Sequence, residues 1–263
     1  MSALYHHFLS TCSQKVRLVL AEKRVEFESH PVDLMAGQQH DPDYVKLNPN
    51  HVVPTLVHEG RAYIESSLIN EFVEETFEGP ACLPADPGAR HAARLWVKRI
   101  DEKVHPQAGV ITFGIGTRPM IVQQPQEQID ATIAAIPDPT YRAKRASVIE
   151  HGVKAPEMAD AFGAFLGLLD DLDTSLDGRE WLAGKDWSLA DAAVTPYVVR
   201  LDHLGLASLI DARKHTAAWY ERVQRRANFE PAVTQWAPEP IVSMFRANGE
   251  AVADEVHALI AGL

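Results

Sequence analysis

Residues 48–77 read NPNHVVPTLVHEGRAYIESSLINEFVEETF, and their pattern decides the fold of the first third of the chain. Val52 to His58 is rich in β-branched residues and reads as a strand. Pro54 inside it is a positional anomaly, because proline has no N–H to give to a ladder. Glu59-Gly60 is a turn, and Arg61 to Ile64 is a second short strand. Ser66 and Ser67 offer hydroxyls to cap a helix running to Phe77, with Leu68, Ile69, Phe72 and Val73 as its apolar stripe.

Upstream, Ala3 to Phe8 is a short aromatic stretch that reads as a strand. Ser10, Thr11 and Ser13 offer N-cap side chains before an apolar run through Val16, Leu18, Val19 and Leu20. Phe27 to Val32 is another strand. Met35 to Leu47 reads as loop with at most one short helix. A β-α-β start followed by β-β-α predicts a compact α/β domain over residues 1–80. Residues 81–88 are a turn-rich linker ending in Asp86-Pro87-Gly88. Residues 89–263 lose the strand signal and predict an all-helical domain. Its helices are His91 to Val104, Pro156 to Leu176, Leu189 to Leu204 and Ala217 to Arg226. Pro106 to Pro139 carries Gly109, Gly114, Gly116, Pro119 and Pro125, which predicts a partly looped insertion near 106–150. Ser188-x-x-Asp191 is a capping-box variant, a folding feature whose removal costs about 0.5–2 kcal/mol.

The chain has 263 residues, 46% hydrophobic and 23% charged, an ordinary globular composition. No apolar run reaches the ~18–20 residues of a membrane span. The opening MSALYHHFLS lacks a basic leader, so a cytoplasmic protein is expected. The net charge of −11 argues against nucleic acid as a partner. Cys12 and Cys82 are too few for a disulfide framework, and the twelve histidines lack metal-ligand spacing, so no metal is expected.

These segments together resemble the cytosolic glutathione S-transferases. Ser10-Thr11-Cys12-Ser13-Gln14-Lys15-Val16-Arg17 is similar to the Ser-x-Cys signature of the zeta class and of tetrachlorohydroquinone reductive dehalogenases. Asn48 to Leu56 resembles the family's N-P-x-x-x-V-P-x-L segment, and Ile64 to Ile69 its E-S-x-x-I segment. Trp187-Ser188-Leu189-Ala190-Asp191 resembles the capping motif of the second domain. Ile111 to Gly116 and the Pro-rich stretch after it are similar to the insertion of that dehalogenase and of bacterial β-aryl etherases. The first eighty residues also resemble the animal ganglioside-induced differentiation-associated proteins. The resemblance implies a thioredoxin-like N-terminal domain and an all-helical C-terminal domain.

It also implies glutathione as co-substrate. A free thiol has a pKa of about 8.5, so the site must favour the thiolate. A helix N-terminus does so through its unpaired N–H groups and dipole. Ser10 is then the expected donor to the glutathione sulfur, although such a serine also serves simply as a cap. Cys12 is a second catalytic candidate, a nucleophile or resolving thiol, or else a small buried residue. Cys82 reads as structural. The family implies a cis Val53-Pro54 bond that turns the Val53 backbone toward glutathione, Glu65 and Ser66 at its γ-glutamyl end, and Gln38, Gln39 or His40 at its glycyl carboxylate.

The second substrate is expected between the domains, a small hydrophobic aromatic touched by Phe8, Phe113 and Tyr197, with Ile111, Ile115 and Met120 as further candidates. The expected reaction displaces an ether oxygen (lignin-type β-aryl ether cleavage) or a halide from an aromatic substrate. Alternatives are a zeta-like cis-trans isomerase and a non-catalytic glutathione-binding protein. The family implies a homodimer, with a heterodimer allowed, and the lack of a long apolar run leaves no membrane partner expected.

Overall fold

The computed structural model describes residues 2–263. In chain order its elements are β1 (Ser2–His6), α1 (Thr11–Glu22), β2 (Phe27–Pro31), α2 (Pro42–Leu47), β3 (Thr55–His58), β4 (Arg61–Tyr63) and α3 (Ser66–Thr76). Then come α4 (Pro87–Arg99), α5 (His105–Ile111), α6 (Arg118–Ile121), α7 (Gln126–Ala134), α8 (Pro139–His151), α9 (Glu157–Ser175) and α10 (Leu189–His203). The last are α11 (Ser208–Asp211), α12 (Lys214–Gln224), α13 (Phe229–Ala232), α14 (Glu239–Glu250) and α15 (Ala253–Ile260). Packing groups them into two units that interleave along the sequence. Unit 1 holds residues 1–98, 178–196 and 219–238, and unit 2 holds 99–177, 197–218 and 239–263. Among the described residues no helix is long and apolar enough to cross a membrane.

Unit 1 is built on a four-stranded sheet in the order β2-β1-β3-β4. β1 runs parallel to β2 and antiparallel to β3, with Tyr5 opposite Thr55. Leu4, Leu56, Val16, Val19, Ile69 and Val73 form a buried layer from the sheet, α1 and α3. β3 begins at Thr55, later than the expected Val52, and Pro54 immediately precedes it. That removes the anomaly, since the ladder starts where donors start. On α3 the buried residues are Ser66, Ile69, Asn70 and Val73, an i, i+3, i+4, i+7 stripe. Leu68, assigned to that stripe by hydrophobicity, is 65% exposed. The N-cap is Glu65, with no side-chain cap bond, and Ser66 is the first helical residue, so the serines do not cap this helix.

The start of α10 is held within unit 1 by Asp191. Its carboxylate accepts from Ser188 N at 3.0 Å and Ser188 Oγ at 3.1 Å. It also accepts from Leu182 N at 3.2 Å and the Trp219 indole at 2.9 Å. Ser188 Oγ in turn accepts from Ala190 N.

Unit 2 is helical, and the expected looped insertion is helical too. α5 passes into a π-helical stretch over Thr112–Thr117 and then α6, with α7 and α8 following. The glycines there serve helix contacts. A Cβ at Gly114 would lie 1.9 Å from Met158 Cε, and one at Gly116 would lie 3.0 Å from Leu204 and 3.1 Å from Phe245. Met158, Phe162, Phe165, Leu168, Leu169 and Leu172 line the buried side of α9, and Leu166 is half-buried at its margin.

Candidate functional site

Ser10 is the N-cap of α1, with extended backbone, and its hydroxyl oxygen accepts from Ser13 N at 3.2 Å. A serine hydroxyl carries one donor besides its acceptor lone pairs, so capping leaves the proton free to donate. Cys12 is the second residue of the helix, half-buried and outside any disulfide. The turn leading into α1 is held from below by a buried arginine. Arg17 donates to His7 O at 3.2 Å, Phe8 O at 2.9 Å and Ala232 O at 2.7 Å. Its NH1 also meets His6 Nδ1 at 3.0 Å. Burial lowers the Arg17 pKa to about 9, so it stays charged at neutral pH. Burial first, and Arg17 next, depress His6 to about 3, so it serves as a neutral partner. Phe8 lies in this turn, half-buried and against His7.

The Val53-Pro54 peptide is cis. The loop before it is fixed by two side chains. Tyr44 Oη donates to Val52 O at 2.6 Å, and Asn48 Nδ2 donates to the same oxygen at 2.9 Å and to Thr55 Oγ1 at 3.1 Å. Glu65 is left-handed at φ +67°, a conformation that costs a non-glycine residue about 1–3 kcal/mol. Its exposed carboxylate accepts from Asn50 Nδ2 at 3.0 Å. Ser66, almost buried, opens α3. Lys15 ties the helices together, donating to Ser67 Oγ at 2.8 Å while its carbonyl accepts from Asn70 Nδ2 at 3.3 Å.

His40 closes a short 3-10 turn and meets His51 Nδ1 to Nδ1 at 3.2 Å. Gln39 Nε2 lies 3.1 Å from His40 Nε2. An amide nitrogen only donates, so His40 Nε2 accepts and its proton resides on Nδ1, directed at His51. Burial, then His51, lowers the His40 pKa, in keeping with this neutral form. Within unit 1, Ser10 and Cys12 lie at the α1 start, Val53 and Pro54 in the cis-proline loop, Glu65 and Ser66 at the α3 start, and His40 in the 3-10 turn. These are linked by the His40–His51, Asn50–Glu65 and Lys15–Ser67 contacts.

His51 and Asn50 belong to this network but were not singled out by sequence. The signal for His51 was slight, a bulky residue in a turn where its φ is +56°. Cys82 is buried, and burial followed by Glu74 pushes its thiol up to about 12, so it is no nucleophile near neutral pH.

In unit 2, Phe113 is half-buried against Ile121, Ile129 and Ile149. Tyr197 is fully buried, with its hydroxyl 3.1 Å from His105 Nδ1, and leaves no surface for a ligand. Ile111 and Ile115 are buried likewise.

Two family models match the chain: the glutathione S-transferase N-terminal domain over residues 9–76 and the C-terminal domain over 130–227. The chain is 32% identical over 239 residues to the tetrachloro-p-hydroquinone reductive dehalogenase of Sphingobium chlorophenolicum, covering 88% of this chain and 94% of that protein. It is 28% identical to the Arabidopsis thaliana glutathione S-transferase TCHQD, over 89% of this chain and 90% of the relative. The crystal structure of the beta-etherase LigF from Sphingobium sp. strain SYK-6 superposes with a TM-score of 0.79 at 26% identity. That match covers 88% of this chain and 98% of LigF. With a thioredoxin-like first domain, a helical second one and both family models matched, the chain belongs to the glutathione S-transferase family.

Proposed function

We propose that this protein delivers the glutathione thiolate to an aromatic or aryl-ether substrate and displaces a phenolate or halide. The observation that carries the reading is the α1 start, where Ser10 caps the helix with its hydroxyl proton uncommitted and Cys12 sits in the first turn. The positive end of α1 and the Ser10 O–H favour a sulfur anion placed there. A lone pair of that sulfur forms the C–S bond. The C–O or C–halogen bond breaks, its electron pair leaves on phenolate or halide, and the thiol proton passes to solvent or the phenolate. Val53 is assigned to the cysteinyl backbone of glutathione, Glu65 and Ser66 to its γ-glutamyl end, and His40 to its glycyl carboxylate. Residues 1–80 are proposed as the glutathione-binding domain and 89–263 as the substrate domain. Phe8 and Phe113 are proposed as aromatic contacts of the acceptor, with Tyr197 assigned to packing. The dehalogenase and beta-etherase relatives support this substrate class.

The deciding experiment incubates the protein with glutathione and a model β-aryl ether or chlorinated aromatic. Release of one phenol or halide per glutathione consumed is the expected result, and intact acceptor sinks the proposal. Binding has its own check. Glutathione at a hundred times its dissociation constant raises stability by about 2.7 kcal/mol, so the melting temperature climbs with concentration. A flat melting temperature together with blank calorimetry counts against glutathione as co-substrate. A cytoplasmic homodimer is the proposed state, and light scattering should give near twice the chain mass of 29.1 kDa.

A further inference from the structure

The acceptor side of this chemistry has a charge of its own. On α8, Arg145 lays its guanidinium over the Phe113 ring, Cζ 3.0 Å from the centroid. The same group is 5.1 Å from the Tyr141 centroid, and its NH2 donates to the Tyr141 hydroxyl. Tyr141 stands four residues earlier on α8, so the two share a helix face. On α5 opposite them is Gly109. A Cβ there would lie 3.6 Å from the Tyr141 hydroxyl and 3.9 Å from Arg145 NH2, so the polar ends of both side chains lie over the bare glycine at ordinary contact distance.

Among the described residues the cation has no acid beside it, and unlike Arg17, Arg118 and Arg142, which also lack one, it has no backbone carbonyl on its guanidinium either. The chain carries 36 acidic residues against 25 basic ones. Arg94, Arg99, Arg213, Arg225 and Arg226 each meet a carboxylate. Among the described residues Arg145 meets none, and its Nε and NH1 have no hydrogen-bond acceptor. Burial lowers its pKa, with Tyr141 acting in the opposite direction. A half-buried cation stacked against two rings gains from an anion that arrives with a flat apolar body. Arginine suits this, because its planar fork binds carboxylate oxygens in pairs and stacks on rings.

We infer that Arg145 is a specificity-determining residue that receives the anionic oxygen, carboxylate or phenolate, of a flat aromatic acceptor lying beside Phe113. The inference rests on the reading of Phe113 as an acceptor contact. Tyr141 positions the guanidinium, and on a protein of net charge −11 a local cation is needed to draw an anionic acceptor in.

The test compares a chlorodinitrobenzoate with chlorodinitrobenzene, its neutral counterpart, and adds a chlorinated hydroquinone as a phenolate source. In Arg145→Met, kcat/KM for the benzoate should fall about 10- to 100-fold, mainly through KM, while the neutral acceptor changes little. Arg145→Lys should recover part of the loss. A purely structural arginine would move both acceptors alike, and that result, or no change at all, overturns the inference. A loss confined to the hydroquinone upholds it and identifies the anion as phenolate. If the wild-type protein turns over no acceptor, the transferase reading fails by itself. Calorimetric titration with dinitrobenzoate then decides on Arg145 alone. Binding weakened about 10-fold or more in Arg145→Met upholds it, and equal or absent binding in both proteins overturns it.

Discussion

Ser10→Ala should lower kcat/KM about 10²–10³-fold, the usual loss of about 2.7–4 kcal/mol when one charge-stabilising donor is removed. It should also raise the pKa of bound glutathione, so the rate profile moves to higher pH and the thiolate absorbance titrates later. Alanine removes more than a donor, because Ser10 is also the cap of α1. Losing that cap costs about 0.5–2 kcal/mol of stability, whereas glycine at a cap costs only a few tenths. Ser10→Gly therefore separates the roles. It should lose activity as fully as alanine does, yet melt close to wild type. Ser10→Thr keeps a hydroxyl and should restore much of the rate. Cys12→Ser completes the comparison. If Cys12 only resolves a glutathionylated aromatic, thioether formation survives and that product accumulates. In the resolving step the Cys12 thiolate takes the glutathionyl sulfur as a mixed disulfide, the ring carbon takes a proton, and a second glutathione frees Cys12 as glutathione disulfide forms. Unchanged kinetics and thiol titration in Ser10→Ala, beside an inactive Cys12→Ser, would reverse the assignment of the two residues.

Local signals made the first unit readable. Alternation, the Glu59-Gly60 turn and the Ser10 cap are all short-range features, and each lies within a few residues of its expected place. Two sequence expectations break for one reason, that composition does not fix conformation. Leu68 was placed in the α3 stripe because it is apolar, but the helical period puts Ser66 and Asn70 there. Glycine and proline between 106 and 139 signalled loop, yet Gly114 and Gly116 are small so that other side chains can reach their helix. Pro106 and Pro119 each stand two positions past a π-helical stretch, Ile100–Val104 and Thr112–Thr117, where the widened turn accommodates a residue that has no N–H to give. Contacts between distant positions were invisible. Arg145 lies 32 positions after Phe113, and no periodicity joins them. His51 meets His40 across 11 positions that hold the whole of α2.

Asp191 shows the same limit with the larger energetic consequence. The Ser188-x-x-Asp191 spacing is legible as a cap, for which a loss of about 0.5–2 kcal/mol is expected. In the fold this carboxylate is fully buried and also serves Leu182 N and the Trp219 indole, the latter 28 positions away. Asp191→Ala strips the acceptor from four donors in a dry environment, each otherwise costly to leave unmade. We expect a loss of about 3–5 kcal/mol, well beyond a cap, read from denaturant unfolding. Burial outweighs those donors and raises the Asp191 pKa from 3.8 to about 6. The folded state therefore holds its proton more tightly than the unfolded one between those values. The contribution of Asp191 to stability falls as pH rises through that window and is level above it. Asp191→Asn cannot ionise, so it should abolish this slope while losing less stability than alanine. An alanine variant that loses no more than a cap is worth, with the slope unchanged, would mean that Trp219 and Leu182 draw nothing from this carboxylate.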